Sequence, residues 1–373
     1  MSDDLHLFHG ARLDAQRLVP LLDHVFTTNI ALQGRGQRPT PVCIWGLHGV
    51  GKSMIVEDYV KARGWGWAYC APAQFEEMGD LHGLPERIET EKGARTAFAP
   101  PKWVPNQDGP GVLLLDDINR ADDRILRGLM QLLQNFEMFS WKLPPKWQIV
   151  CTANPEGGDY SVTPMDDAML TRMLHATMTF DVKAWAAWAT RVGVDERGIA
   201  FALTYPEVIT GKRTTPRSLT QFLDQIAPIE DLKEHIDMVR TLAASSLDDI
   251  TVATFTSFVL DGLQELISPE QILDAPSWAP IETRIAKLAR GEEDEKRVDR
   301  LSVICTRLFL TLTHPRYEPK KKHGENLVAF LLHEALPNDL RMSLHRDLLQ
   351  DGSDDVKGMM RHRALAELML DLL

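Results

Sequence analysis

The sequence predicts an α/β protein: a parallel sheet flanked by helices, followed by an α-helical lid and a further C-terminal helical region. Three observations predict it. Short apolar runs alternate with helical patterns between position 42 and about 180, as parallel strands joined by crossover helices do. A glycine-rich stretch, Gly46-Leu47-His48-Gly49-Val50-Gly51-Lys52-Ser53, leads from the first such run into a helical pattern. From Val182 onward the strand signal disappears and only three- and four-residue apolar spacing remains.

The strand candidates are Val42–Trp45, Trp67–Cys70, Val112–Asp116, Gln148–Thr152 and Ala176–Phe180. Ahead of them one amphipathic helix is expected over Ala15–Thr27, with Gln33-Gly34-Arg35-Gly36 as a link. Behind them, helices are expected over Lys183–Arg191, Arg197–Thr204, Arg217–Ile226 and Asp231–Ser246. A Pro-rich stretch from Ser268-Pro269 to Ala279-Pro280 marks a boundary. Past it Val298, Leu301, Cys305, Leu308 and Leu312 outline one buried helical face. The domain division read this way is 1–181, an α/β nucleotide-binding unit; 182–265, a helical lid; and 266–373, a helical region of no assigned role.

Bulk properties bound the function. A chain of 373 residues is too long for one ordinary core. Its 44% apolar and 25% charged content suits a soluble globular protein. No segment approaches the roughly 18 apolar residues of a membrane span. The acidic start Met1-Ser2-Asp3-Asp4-Leu5 is not a secretory signal, and four dispersed cysteines (Cys43, Cys70, Cys151, Cys305) suit reduced, buried thiols. A cytoplasmic protein is expected. The net charge of −12 opposes broad nucleic-acid binding without excluding a local basic channel. Gly291-Glu292-Glu293-Asp294-Glu295-Lys296-Arg297 reads as the acidic first turn of a helix, and Lys320-Lys321-Lys322-His323 as a solvated loop.

The stretch Gly46–Ser53 fits G-x-x-x-x-G-K-[ST] at every position. Such a loop turns backbone N–H groups of Gly46, His48, Gly49, Val50 and Gly51 toward phosphate oxygens at a helix N-terminus. Lys52 is then placed to reach the β- and γ-phosphates, and the Ser53 hydroxyl to ligate Mg²⁺. The chain is expected to bind a nucleoside triphosphate. A second signature is Val112-Leu113-Leu114-Leu115-Asp116-Asp117, a buried strand ending in two carboxylates where open α/β sheets bind ligands. Asp116 is expected to hold Mg²⁺ through its water shell, and Asp117 to orient or deprotonate the attacking water. The other reading of the pair is an N-cap for the next helix.

Three further residues follow in order. Asn154, in the run Ile149–Pro155, reads alone equally as a turn asparagine before proline; in this order it is expected to sense the γ-phosphate and hold the lytic water. Arg172 is either a surface arginine or a finger reaching a neighbouring subunit's nucleotide, worth roughly 10³–10⁵ in rate, or about 4–7 kcal/mol. Arg217 follows Pro216 at a helix start, where the dipole disfavours a cation unless an anion is bound nearby.

With these elements in this order, the chain resembles the AAA+ ATPases, specifically the MoxR-type branch and its cobalt-chelatase-subunit and dynein-related relatives. The residues that carry the resemblance are Gly46–Ser53, Leu113–Asp117 with Ile118-Asn119-Arg120-Ala121, Thr152-Ala153-Asn154-Pro155, Arg172, and Thr215-Pro216-Arg217. Asp80-Leu81-His82-Gly83-Leu84-Pro85 also looks like that branch's D-L-x-G segment. The likeness spans about residues 12 to 260. It implies an AAA+ P-loop core, ATP and Mg²⁺ as cofactors, and a homo-oligomer, a hexameric ring with nucleotide at its interfaces. It also implies a protein client, with a von Willebrand factor A domain protein as a partner. Two departures stand out. The family usually places glutamate where this chain has Asp117, which retracts the carboxylate by about 1.5 Å. The hairpin the family inserts before the sensor is short here, Phe136 to Pro144. Within Lys92–Gln107, Trp103 either faces a pore or packs under its Pro-rich loop.

The leading reading is therefore Mg²⁺-dependent ATP hydrolysis that remodels or activates a protein partner. The alternatives are a nucleic-acid-directed motor and an ATP-binding switch or scaffold that turns over slowly.

Overall fold

In the computed structural model, which describes residues 9–157, 161–210, 213–262, 266–290, 297–314 and 317–371, the chain divides into two compact units, Met1–Asp181 and Val182–Leu373. The first contains β1 (Ala11–Leu13), α1 (Ala15–Gly34), β2 (Val42–Trp45), α2 (Lys52–Arg63), β3 (Gly66–Cys70), α3 (Met78–His82), β4 (Leu84–Thr90) and β5 (Gly93–Ala99). Then come β6 (Gly111–Leu115), α4 (Asp123–Asn135), β7 (Glu137–Met138), β8 (Trp141–Lys142), β9 (Trp147–Ala153), α5 (Asp167–Leu170) and β10 (Leu174–Met178). Six strands form one sheet in the order β1-β10-β2-β9-β6-β3, every neighbouring pair parallel.

The two-residue strand period explains the near-continuous apolar runs. Val42, Ile44, Val112, Leu114 and Val150 point to one face and pack with Leu18, Phe26 and Val56 from α1 and α2. Cys43, Trp45, Leu113, Leu115, Ile149 and Cys151 point to the other, against Leu126, Leu129 and Leu133 of α4. A strand covered on both faces has no polar side, so its sequence cannot alternate. The register β2 to β9 and β9 to β6 brings the C-terminal ends of all three strands level, Trp45 beside Ala153 and Leu115 beside Cys151. That common edge carries the site.

The differences from expectation have local causes. α1 continues past Thr27 to Gly34 because buried Asn29 ties its second half down. Its amide donates to the Thr40 carbonyl at 2.9 Å and to Gln148 Oε1 at 2.9 Å, and accepts from Thr40 N–H at 3.0 Å. β1 is three residues long, too short to show a period. β4 and β5 pair antiparallel from Leu84–Ala99 to Thr90–Gly93, and β4 is exposed throughout. With no buried face there is no hydrophobic alternation to read. β7 and β8 form the short hairpin expected between Phe136 and Pro144, with two pairs.

The second unit is helical among the described residues: α6 (Val182–Val192), α7 (Glu196–Thr204), α8 (Pro216–Ile226), α9 (Ile236–Ser246), α10 (Asp249–Leu260), α11 (Pro269–Leu273), α12 (Ala279–Leu288), α13 (Val298–Leu312), α14 (Lys321–Leu332), α15 (Asn338–Asp351), α16 (Asp354–Met360) and α17 (Arg363–Asp371). α9 starts at Ile236 rather than Asp231, because the Asp231 carboxylate accepts from the N–H groups of Lys233 and Glu234 and closes a separate turn. The Pro-rich stretch is a pair of helix starts. Ser268 caps α11 with Pro269 at its first position, and Pro280 sits in the first turn of α12. On α13 the spaced residues Leu301, Cys305, Leu308 and Leu312 are buried, whereas Val298 at its first turn is exposed.

Two charged stretches resolve differently. Gly291–Lys296 lies outside the described residues. Lys320–His323 is solvated at its three lysines but is not a loop: it opens α14, with Lys320 bonded to Asp274 at 2.7 Å, Lys322 to the Pro276 carbonyl at 2.5 Å, and His323 buried between Asp274 and Tyr317. Among the described residues no helix is long and apolar enough to cross a membrane. All four cysteines are free and buried, and burial pushes the Cys70 and Cys305 thiols up to about 12.

Candidate nucleotide site at the sheet edge

The loop between β2 and α2 is shaped by its glycines. Gly46 donates its N–H to the Ala153 carbonyl at 3.2 Å, and a Cβ there would lie 2.8 Å from the Met178 carbonyl oxygen. Gly51, at φ +103°, caps α2 in a conformation that strains any L side chain. His48 is exposed, while Gly46 and Gly49 are buried. Lys52 is the first residue of α2, where the helix dipole opposes a cation. Its chain folds back: Lys52 is 6% exposed, and its ammonium donates to the carbonyls of Gly46 (2.8 Å) and Leu47 (3.1 Å) and to Asn154 Oδ1 (3.2 Å).

Asp116, just beyond β6, is held from three sides. Ser53 and Thr152 donate their hydroxyls to Oδ1 at 2.5 and 2.6 Å, and the Tyr69 phenol donates to Oδ2 at 3.0 Å. Burial and the Asp116 charge raise the Tyr69 pKa to about 12, so it remains a donor. The Ser53 hydroxyl and the Asp116 carboxylate are hard oxygen donors brought to one point, which fits a Mg²⁺ that takes few protein ligands and completes its shell with phosphate and water.

Asp117 adopts φ +49° at the start of the 3₁₀ turn Ile118–Arg120 and makes no side-chain cap there. The N-cap of α4 is Asp122, so the capping reading of the Asp116-Asp117 pair does not hold. Instead Asp117 Oδ1 accepts from Asn154 Nδ2 at 2.9 Å, and Oδ2 pairs with Arg120 at 3.3 Å. Asn154 therefore bridges Lys52 and Asp117. Its amide can point only one way, oxygen to the ammonium and nitrogen to the carboxylate. The Asn154 backbone is itself clamped: Asn119, fully buried, accepts from its N–H (3.0 Å) and donates to its carbonyl (2.8 Å).

The fold thus gathers Lys52, Ser53, Asp116, Asp117 and Asn154. It does not bring Arg172 into that group. Arg172 donates from Nε to Gln134 Oε1 at 3.1 Å and from a second nitrogen to the Ala168 carbonyl. Arg217 is exposed in the first turn of α8, behind the Thr215 cap and Pro216, and makes no hydrogen bond or ion pair to the described residues. Trp103 packs against Phe75 and Trp141 and donates its indole N–H to the Asp80 carbonyl at 3.0 Å, the packed alternative of its two readings. Sequence reasoning missed Tyr69, Thr152 and the clamp of Asn119. Thr152 and Asn119 lie inside stretches recognised for their neighbours. Tyr69 carries no motif signal, since only the β3–β6 pairing puts it beside Asp116.

A parallel sheet with a phosphate-binding loop after β2, two carboxylates after β6 and an amide after β9 is the fold of the AAA+ P-loop NTPases. Residues 41–173 match the family model for the AAA domain of the dynein-related subfamily. No curated protein matches the chain. Among solved structures it is similar to the Thermotoga maritima RuvB Holliday junction branch migration motor, at 16% identity over 73% of this chain and 75% of that one, with a TM-score of 0.36. It is also similar to a putative ATPase from Cytophaga hutchinsonii, at 11% identity over 96% and 89% of the two chains, with a TM-score of 0.33.

Proposed function

We propose that this chain hydrolyses Mg²⁺–ATP at the subunit interfaces of a ring and uses the cycle to remodel or activate a protein partner, as a MoxR-type ATPase would. The observation that carries this reading is the amide of Asn154, bonded at once to Lys52 and to Asp117, beside the paired oxygens of Ser53 and Asp116. Proteins with an AAA domain generally use ATP with Mg²⁺ and commonly assemble into rings.

When bound, Mg²⁺–ATP supplies an electrophilic γ-phosphorus and a leaving diphosphate. Lys52 balances charge on the β- and γ-oxygens, exchanging the Gly46 and Leu47 carbonyls for phosphate. Ser53 and Asp116 would hold the Mg²⁺. Asp117 takes the proton of the attacking water at its carboxylate, and Asn154 orients that water and reports the γ-phosphate to Asp117. Arg172 acts on the nucleotide of an adjacent subunit, and Arg217, in the helical lid at 182–265, answers the charge of a bound triphosphate. A ring of six, a von Willebrand factor A domain partner and a cytoplasmic site of action belong to the same proposal.

One observation favours a second reading, an ATP-bound switch or scaffold with slow turnover. Both Asp117 oxygens are engaged, one by Asn154 and one by Arg120, on a side chain one methylene shorter than glutamate. Steady-state hydrolysis decides between them. The enzyme reading expects wild type to exceed Lys52→Ala by at least about 100-fold, the scale on which electrostatic stabilisation of a transition state is lost. Equal rates with intact ATP binding in wild type leave the switch. Single-stranded DNA in the same assay tests the client: strong stimulation would replace the protein partner with a nucleic acid, against the net charge of −12.

A further inference from the structure

The second unit holds a cavity of about 370 Å³ that the nucleotide chemistry does not use. It is lined by Glu196 and Arg197 of α7, Ser268 and Gln271 around α11, Arg284 of α12 and Arg307 of α13. Three arginines and one carboxylate line it. Their freedom differs. Arg197 is spent: it pairs with Asp195 and donates to the carbonyls of Ile226, Ile229 and Glu230. Arg284 is exposed and, among the described residues, makes one hydrogen bond, at 3.3 Å, to Gln271 Oε1.

Arg307 is the unusual one. It leaves the middle of a largely apolar helix, is 7% exposed, and carries a charge that burial disfavours. A guanidinium has five N–H donors and stays protonated in proteins. Among the described residues Arg307 makes a single hydrogen bond, to the Glu196 carboxylate. None of its nitrogens is among the fully enclosed atoms that lack a partner, so its remaining donors are not sealed off, and Arg307 lines the cavity. Glu196 is a weak resident: burial raises its pKa, and its side chain is 58% exposed. The charges of nearby Glu270 and Asp195 push the Glu196 carboxyl the same way. A buried cation with unused donors, held by one half-solvated carboxylate, is a site whose pairing a better-shaped anion can complete.

We propose that this cavity binds a small oxyanion, the phosphate or carboxylate group of a small molecule, between Arg307 and Arg284, with Glu196 displaced from Arg307 on binding. The planar fork of Arg307 takes two oxygens of the ligand and the exposed Arg284 adds a second guanidinium to it. Glu196 acts as the internal competitor that sets the affinity.

Isothermal titration of the full-length chain with inorganic phosphate, and separately with malonate, tests this and tells the two sources apart. Arg284→Gln, on an exposed position, is expected to weaken binding of the preferred anion about tenfold. Glu196→Gln removes the competitor and is expected to tighten it by a similar factor. Lys52→Ala is expected to leave this binding unchanged, which separates the cavity from the phosphate loop. The proposal is overturned if neither anion binds, if Glu196→Gln weakens binding, or if Arg284→Gln leaves the affinity unchanged. A phosphate signal that vanishes in Lys52→Ala overturns it equally.

Discussion

Asn119 shows how one buried side chain can set the chemistry of another. Its amide replaces the backbone partner that Asn154 lacks beyond the end of β9, and so fixes the direction of the Asn154 side chain toward Lys52 and Asp117. Asn119→Ala leaves an N–H and a carbonyl buried without partners, a cost of about 1–3 kcal/mol each. The expected outcome is a fall in kcat of about 10-fold or more with little change in KM for ATP, because misaligning a group that acts on the attacking water removes transition-state rather than ground-state binding. A change confined to KM would place Asn119 outside the chemistry. His175 offers a separate, pH-readable test. Trp45 Nε1 donates to its Nδ1 at 2.9 Å, so Nε2 carries the proton and donates to the Leu170 carbonyl at 2.7 Å. Protonating Nδ1 breaks the Trp45 bond, and burial lowers the His175 pKa below its ordinary value. The unfolded chain then binds the proton more readily than the folded one. This contribution to stability is complete above ~6.5 and is lost as pH falls from there through the lowered folded value. Thermal melts between pH 7.5 and 5.5 should show Tm declining toward acid, with a shallower decline in His175→Gln.

At the level of elements, the site depends on strands whose ends must stay level, and the packing that levels them is tight. A Cβ on Gly111, the first residue of β6, would lie 2.7 Å from the Trp147 ring, which is 1% exposed and anchored by its indole N–H to the Gln107 carbonyl at 2.8 Å. Trp147 cannot retreat, so Gly111→Ala overpacks the sheet. A loss of about 1–3 kcal/mol is expected, visible as a Tm lowered by several degrees; an unchanged Tm would mean that the ring moves freely. The central strands were legible in the sequence for the reason that makes them fragile: both faces are buried, so nearly every residue is apolar, Gln148 and Thr152 of β9 being the hydrogen-bonded exceptions. The same physics hid the other strands. β4 is exposed throughout and β5 buries only Ala97, β1 borrows its stability from β10, and β7 and β8 are two residues each. The site residues were legible because phosphate and metal binding demand particular atoms at strand tips. Tyr69 and Asn119 were not, because their roles arise from contacts across the sheet, Tyr69 to Asp116 and Asn119 to Asn154, that no local spacing encodes.

For the whole molecule, the decisive question is whether the site within one chain is complete. Lys52, Ser53, Asp116, Asp117 and Asn154 converge, yet Arg172 is turned to Gln134 and to the Ala168 carbonyl of its own chain, away from that group. If Arg172 serves a neighbouring subunit, its loss and the loss of Lys52 damage opposite halves of an interface. Arg172→Ala should then abolish hydrolysis while ATP binding stays nearly intact, since a finger worth roughly 10³–10⁵ in rate acts on the transition state. Mixing makes the test sharper. Arg172→Ala subunits keep a working phosphate loop, and Lys52→Ala subunits keep a working finger. In a ring assembled at random from equal amounts, about a quarter of the interfaces pair the intact loop of one with the intact arginine of the other. Two inactive proteins should therefore regain a substantial fraction of wild-type turnover when unfolded and reassembled together, and lose it again on dilution below the assembly threshold. A mixture as inactive as its components, in rings shown by mass measurement to contain both, would assign Arg172 to its own subunit and remove the interface from the mechanism.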